Sequence, residues 1–298
     1  MPTAASNGIE IAYETFGDPE DPTVLLIMGL GAQMLGWPDP FCEGLVDRGF
    51  HVVRFDNRDV GLSTWFDHQP VDLGVVIPQL MAGDPSGAPY VLRDMAADAV
   101  GLLDVLSLDQ VHLVGASMGG MIAQTIAIEH PERVLSLTSI MSTTGEQHVG
   151  QPTPEILGVL MQPPARDRDA AIEQGIATYT AIGSPDHLDP EWVRHRVTAS
   201  YDRAFHPEGT SRQLVAVGAS GSRADGLASL EVPTLVVHGE VDPLIDVSGG
   251  ERTAELVPGA ELLIIEEMGH DLPAPFWPQI IEGITRTAVR AATVDGGS

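Results

Sequence analysis

Gly115-Ala116-Ser117-Met118-Gly119 sets a serine hydroxyl midway between two glycines. A serine hydroxyl is a weak nucleophile unless a neighbouring base takes its proton, so the segment raises the question of acyl transfer. The pattern Gly-x-Ser-x-Gly is weak evidence by itself in a chain with 32 glycines among 298 residues. Its setting gives it weight. It follows the apolar run Val111–Val114 and opens a helical pattern at Met118, the strand–turn–helix context of a nucleophile elbow. Such a turn admits only small flanking residues and holds the serine in a strained, exposed conformation. The first amides of the following helix then face the reacting carbonyl and favour negative charge there. The competing reading is a glycine-rich turn that merely packs on a neighbour.

A serine nucleophile needs a base. Of ten histidines, His270 stands out in Glu267-Met268-Gly269-His270-Asp271, just past the last apolar run. A loop there lies at the carboxyl edge of a parallel sheet, where sites of α/β proteins gather. His238 is the second candidate, but it sits within or at the end of a strand. The base needs a carboxylate to orient it, and Asp242 follows the strand Thr234–Val237, with Glu240 and Asp246 as nearby competitors. Asp242 is preferred because the order Ser117…Asp242…His270 is the order of an elbow-type triad. Two backbone N–H groups should stabilise the oxyanion. One is that of Met118, after the nucleophile, and the other is assigned to Leu30 in Met28-Gly29-Leu30-Gly31. The alternative for this second segment is a simple tight turn.

Those residues must be carried by a frame. Short apolar runs at 24–28, 51–55, 111–114, 134–141, 234–237 and 261–265 suit strands buried on both faces of a parallel sheet. Helical spacing falls between them at Leu92–Leu106, Met118–Glu129 and Pro278–Arg290. The second of these stops at His130-Pro131, since the residue before proline avoids helical geometry. Alternation of this kind predicts an α/β fold with a mostly parallel, doubly wound sheet. Between Thr143 and Ser229 the rhythm breaks into helix-like segments, Asp169–Ala181 and Pro190–Tyr201 among them, without a buried strand. The expected division is therefore a core at 1–142, an inserted helical cap at 143–229, and the rest of the core at 230–298. The low-complexity end, Asp295 to Ser298, stands apart.

Composition prunes the chemistry. All 15 basic residues are arginine, against 42 acidic ones, for a net charge of −27. Without lysine, Schiff-base, PLP-lysine and P-loop mechanisms are excluded. So acidic a surface repels phosphate backbones, so no nucleic-acid partner is expected. The single Cys42 cannot form an internal disulfide, and it falls in a segment that reads as an early helix turn. No apolar stretch reaches the ~18 residues of a membrane helix, and the polar start Met1–Gly8 resembles no signal peptide. A soluble cytoplasmic protein without membrane, metal or organic cofactor is expected, with a small-molecule ester as its partner.

Assembled, these residues make the chain similar to the α/β-hydrolase superfamily across nearly its whole length. Asp56-Asn57-Arg58-Asp59-Val60-Gly61-Leu62-Ser63 resembles that superfamily's Asp-x-Arg-Gly-x-Gly-x-Ser loop. Met28-Gly29 … Leu35-Gly36-Trp37-Pro38-Asp39 resembles bacterial esterases of the aclacinomycin methylesterase type, cytoplasmic enzymes that cleave a methyl ester on an aromatic polyketide. Two departures stand out. Met28 replaces the usual histidine before Gly29, as in that esterase subgroup, and Asp59 replaces the usual glycine after the arginine. A serine at the elbow argues against the dehalogenases and epoxide hydrolases of the superfamily, which use aspartate. The expectation is a serine carboxylesterase acting on small to medium neutral or hydrophobic esters. A perhydrolase or a C–C bond hydrolase with the same triad is the alternative. A binding protein on a hydrolase scaffold is disfavoured by the complete triad. Trp37, Trp65, Met118 and Met141 are candidates for an apolar pocket wall or for the core.

Overall fold

A computed structural model describes residues 1–160 and 162–295, so that most of the low-complexity end, 296–298, lies outside the described residues. The strands are β1 (Thr3–Ser6), β2 (Ile9–Phe16), β3 (Thr23–Ile27), β4 (His51–Phe55), β5 (Val111–Ala116), β6 (Val134–Ile140), β7 (Thr234–Gly239) and β8 (Glu261–Ile265). They form one sheet in the order β1-β2-β4-β3-β5-β6-β7-β8. From β4 to β8 every neighbouring pair is parallel, whereas β2 is antiparallel to both β1 and β4. The six apolar runs of the sequence become β3 to β8, with ends displaced by one or two residues.

The helices are α1 (Asp39–Val46), α2 (Leu73–Met81), α3 (Leu92–Val105), α4 (Met118–Glu129), α5 (Pro154–Leu160), α6 (Arg168–Ile182), α7 (Pro190–Arg203), α8 (Pro207–Ala219), α9 (Ala224–Leu227), α10 (Ser248–Leu256) and α11 (Trp277–Asp295). Strand pleating sorts the apolar runs between two cores. Leu25, Ile27, Val53, Phe55 and Leu113 join α3 and α4 on one face of the sheet. Val24, Leu26, Val52, Val114 and Ala116 join α1 and α11 on the other, where Cys42 is buried. Each such buried aliphatic side chain stabilises the fold by about 1.5–3 kcal/mol. Among the described residues, no helix is long and apolar enough to cross a membrane.

Helices α5 to α9 fill the interval between β6 and β7, which holds no strand among its described residues. Local chemistry starts the two longest. Asp167 accepts from Ala170 N–H at the head of α6, and Asp189 accepts from Glu191 and Trp192 N–H at the head of α7, where Pro190 takes the first position.

The hairpin β1–β2 is absent from the run-based reading of the sequence. Its signal is present nonetheless. Asn7 (φ 47°) and Gly8 (φ 79°) form a two-residue turn with both residues left-handed, the preference of Asn-Gly in tight hairpins.

One buried histidine gives the fold a calculable pH response. His112 in β5 packs edge-on against Phe50 and shares a 2.8 Å hydrogen bond with Ser136 Oγ. Burial pushes its pKa from 6.5 down to about 4. Above pH 6.5 the ring is neutral in both folded and unfolded chains; as pH falls toward 4, only the unfolded chain takes the proton, so stability is lost. That loss amounts to about 3 kcal/mol. Urea titrations at pH 7 and pH 4 should show His112→Gln losing about that much less stability on acidification than the wild type. An unchanged difference would contradict the assignment.

Candidate active site

Close packing dictates the turn between β5 and α4. A Cβ at Gly115 would lie 2.1 Å from the carbonyl oxygen of Gly119, and one at Gly119 would lie 2.1 Å from that of Ile27. Only hydrogen fits at both positions. Between them Ser117 takes φ 57° and ψ −123°, a conformation that costs a non-glycine residue about 1–3 kcal/mol. Its N–H donates to Ile140 O (2.9 Å), which fixes the turn to β6.

The loop after β8 brings His270 Nε2 to 2.9 Å from Ser117 Oγ, and the loop after β7 brings Asp242 Oδ2 to 2.7 Å from His270 Nδ1. Asp242 is itself oriented, its Oδ1 accepting from Leu244 N–H (2.8 Å) and Ile245 N–H (2.9 Å). Both His270 and Asp242 are buried, and Ser117 is half-buried. With Asp242 accepting at Nδ1–H, the free Nε2 lone pair faces the serine hydroxyl, the tautomer required of a base.

The competing residues are accounted for. His238 donates from Nε2 to Ile245 O (2.8 Å), and burial lowers its pKa. It packs behind Asp242, with Nε2 3.6 Å from Oδ2. Glu240 is exposed, and Asp246 accepts from Ser248 N–H at the head of α10.

Sequence reasoning missed Ser184. It lies two residues past the end of α6, and its Oγ accepts from Gly269 N–H (2.9 Å) while donating to Asp271 Oδ1 (2.5 Å). His270 N–H donates to Ile182 O (2.7 Å), so the end of α6 clamps the histidine loop. Burial raises the Asp271 pKa, against which the Ser184 hydrogen bonds act. No periodicity or motif marks such a contact in the sequence.

Opposite the elbow, the loop after β3 presents Gly29, where a Cβ would fall 2.9 Å from that of Ser117. Gly31 N–H donates to Gln213 Oε1 (2.8 Å) and Ala32 N–H to Gly29 O (3.2 Å). The Leu30 amide makes no hydrogen bond among the described residues. Met118 opens α4, so its amide is one of the first-turn donors that a helix leaves free. These are the two donors expected from the sequence.

Leu30 and Gly31 also floor a cavity of about 560 Å³ roofed by α6 to α8, with Tyr179, Arg196, Phe205 and Leu214 in its walls. Ser117 and His270 are not among its lining residues; the loop after β3, whose Gly29 faces Ser117, lines it from Leu30 to Gln33. None of the four residues proposed for an apolar wall lines it. Trp37, Met118 and Met141 are core residues, and Trp65 stacks on His206 at 4.1 Å. Among the described residues, no three His, Cys, Asp or Glu side chains converge as metal ligands would.

This frame and elbow are those of the alpha/beta hydrolase fold, and the chain belongs to that family, whose model matches residues 22–273. It is 29% identical to the rhodomycin D methylesterase DauP of Streptomyces sp. (strain C5), over 99% of this chain and 100% of that one. It is 26% identical to 2-hydroxy-6-oxononadienedioate/2-hydroxy-6-oxononatrienedioate hydrolase 2 of Pseudomonas putida, over 88% of this chain and 85% of that one. Its fold matches the crystal structure of the enol-lactonase from Burkholderia xenovorans LB400 with a TM-score of 0.72 at 22% identity, covering 98% and 100% of the two chains.

The structure also explains the aspartate in the loop after β4. Asp59 has φ 68°, the left-handed region that glycine adopts freely. Its buried carboxylate accepts from Arg212 Nε (2.9 Å) and Nη2 (2.7 Å), from Tyr90 Oη (2.6 Å) and from Phe66 N–H (2.7 Å). Arg212 belongs to α8, so Asp59 anchors the insertion to the sheet. Removing one partner strands a buried charge, which typically costs about 3–5 kcal/mol. Arg212→Met should therefore destabilise the protein by an amount in that range in urea denaturation. Adding Asp59→Gly, which restores the easy backbone residue and removes the orphaned charge, should recover part of the loss; strictly additive losses would contradict the coupling.

Proposed function

We propose that the protein is a serine carboxylesterase in which Ser117, His270 and Asp242 act as the triad and the amides of Leu30 and Met118 as the oxyanion hole. The observation that carries this reading is the continuous hydrogen-bonded chain from Ser117 Oγ through His270 to Asp242. Ser117 Oγ attacks the ester carbonyl while His270 Nε2 takes its proton, and the carbonyl oxygen becomes an oxyanion held by the two amides. Collapse breaks the bond to the alcohol, which leaves with the proton from His270. Water then attacks the acyl-enzyme, giving its proton to His270, and the acid departs as that proton returns to Ser117. Asp242 holds the imidazole tautomer and stabilises the imidazolium.

Residues 143–229 act as a cap over the reacting serine, and the cavity beneath α6 to α8 receives the non-reacting part of the ester. Its mainly apolar walls fit small to medium hydrophobic esters, and the 29% identity to a methylesterase supports the reaction type. The match to the Pseudomonas putida hydrolase keeps a second reading in play, in which the same triad cleaves a C–C bond next to a ketone.

Hydrolysis of p-nitrophenyl acetate, butyrate and octanoate by the wild type should be lost in Ser117→Ala by about 10³-fold or more. Asp242→Asn, which favours the wrong tautomer, should lose about 10⁴-fold in kcat. Equal activity in Ser117→Ala and wild type would remove Ser117 as nucleophile. Equal inertness, with turnover of a 1,5-diketone, would favour the C–C reading.

A further inference from the structure

We propose that Gln213 is a positioning residue for the oxyanion hole, setting the distance between the Leu30 amide and Ser117 from the far side of the loop; the proposal rests on the ester-hydrolase reading above. Gln213 lies on α8, inside the insertion, and has no exposed surface. Its side chain bridges two loops. Oε1 accepts from Gly31 N–H (2.8 Å), and Nε2 donates to the carbonyl oxygen of Arg58 (2.7 Å). The partners fix which way the amide faces, because an N–H must meet the oxygen and a carbonyl must meet the nitrogen.

The bridged segment is the one that matters for the chemistry. Gly29 lies so near Ser117 that a Cβ there would fall 2.9 Å from the Ser117 Cβ, and Asn57 Nδ2 donates to Met28 O (2.8 Å). Gly31 takes φ 66°, with Thr210 of α8 so close that a Cβ there would lie 2.7 Å from its Oγ1. Leu30 is therefore suspended between a contact with the nucleophile at Gly29 and a hydrogen bond to the insertion at Gly31. The anchor is rigid in turn, since Arg58 forks onto Asp98 with two 2.6 Å hydrogen bonds and Arg212, next to Gln213, forks onto Asp59. Oxyanion donors act only within about 2.7–3.1 Å of the developing charge, and a supporting shell must hold such a group to about 0.5 Å. A side chain 182 residues from Gly31 in sequence thus sets the neighbouring Leu30 donor.

The test uses purified full-length variants with active sites counted by fluorophosphonate titration. For p-nitrophenyl butyrate, Gln213→Met should lower kcat by about 10-fold or more, while KM stays within about threefold. The inhibition constant of a trifluoromethyl ketone, which forms an oxyanion on the serine, should rise by a similar factor. That of the matching methyl alcohol, which forms none, should move far less. Gln213→Glu, kept neutral by burial, retains an acceptor facing Gly31 and an O–H donor facing the Arg58 carbonyl, and should recover most of both losses. If the methionine variant does not fold, Gln213→Asn, whose amide falls one methylene short, carries the same pair of measurements. Unchanged kcat and ketone affinity per titrated site would overturn the proposal, as would parallel loss of ketone and alcohol affinity. If the wild type neither turns over the ester nor binds the ketone, the ester-hydrolase reading falls and this proposal with it; wild-type turnover with an indifferent Gln213 sinks the proposal alone.

Discussion

Everything at the site depends on how closely α4 approaches β3 and β5. The helix can begin where it does only because Gly115 and Gly119 carry no side chain, since a Cβ at either position would fall 2.1 Å from a backbone carbonyl oxygen. That approach forces the chain to turn within one residue, and the residue left at the turn is Ser117, with its backbone strained and its hydroxyl presented. The strain is sustained by the packing of α4, whose residues from Met118 to Ala127 are all buried between the sheet and its neighbours. Stability far from the chemistry holds a local geometry that the chain alone would abandon.

The remaining parts of the site are brought to the elbow by two kinds of attachment. The loops after β7 and β8 arrive by sheet topology, because both strands run parallel to β5 and end at the same edge of the sheet. The insertion arrives by charge. Asp56 meets Arg203 at the end of α7 (2.7 Å) and Asp59 meets Arg212 on α8, all of them partly or wholly buried. Buried pairs of this kind contribute little net stability against an apolar replacement, yet breaking one side is costly, so they specify where the insertion sits. In a chain of net charge −27, two of the fifteen arginines, Arg203 and Arg212, make these contacts. The end of α6 adds a neutral clamp through Ser184, so the insertion touches the histidine loop as well as the loop after β3.

What the sequence discloses follows the range of the interactions. Parallel strands are apolar throughout, so β3 to β8 are readable from composition over five or six residues. The elbow is readable because its steric demand is local, falling on two glycines and a serine within one pentapeptide. The hairpin β1–β2 was legible through Asn7-Gly8 and the alternation of Ile9–Phe16, but a search for continuous apolar runs passes over alternating, half-exposed strands. Asp59 announced itself as a departure from glycine, while its purpose depended on Arg212, 153 residues further on. Ser184, Arg203, Arg212 and Gln213 act through contacts with residues distant in sequence, which leave no period or spacing behind. Trp37, Met118 and Met141 have the right chemistry for a pocket wall, and only packing reveals that they face the cores.

Ester hydrolysis at this site requires Ser117 to form a covalent acyl-enzyme. The most direct measurement is mass spectrometry of the protein quenched in acid during turnover of p-nitrophenyl butyrate, followed by peptide mapping. One added butyryl group is expected, located on the peptide that contains Ser117 and absent from the Ser117→Ala protein. A butyryl group on another residue, or turnover with no adduct under conditions in which burst kinetics demand one, would contradict that role for Ser117.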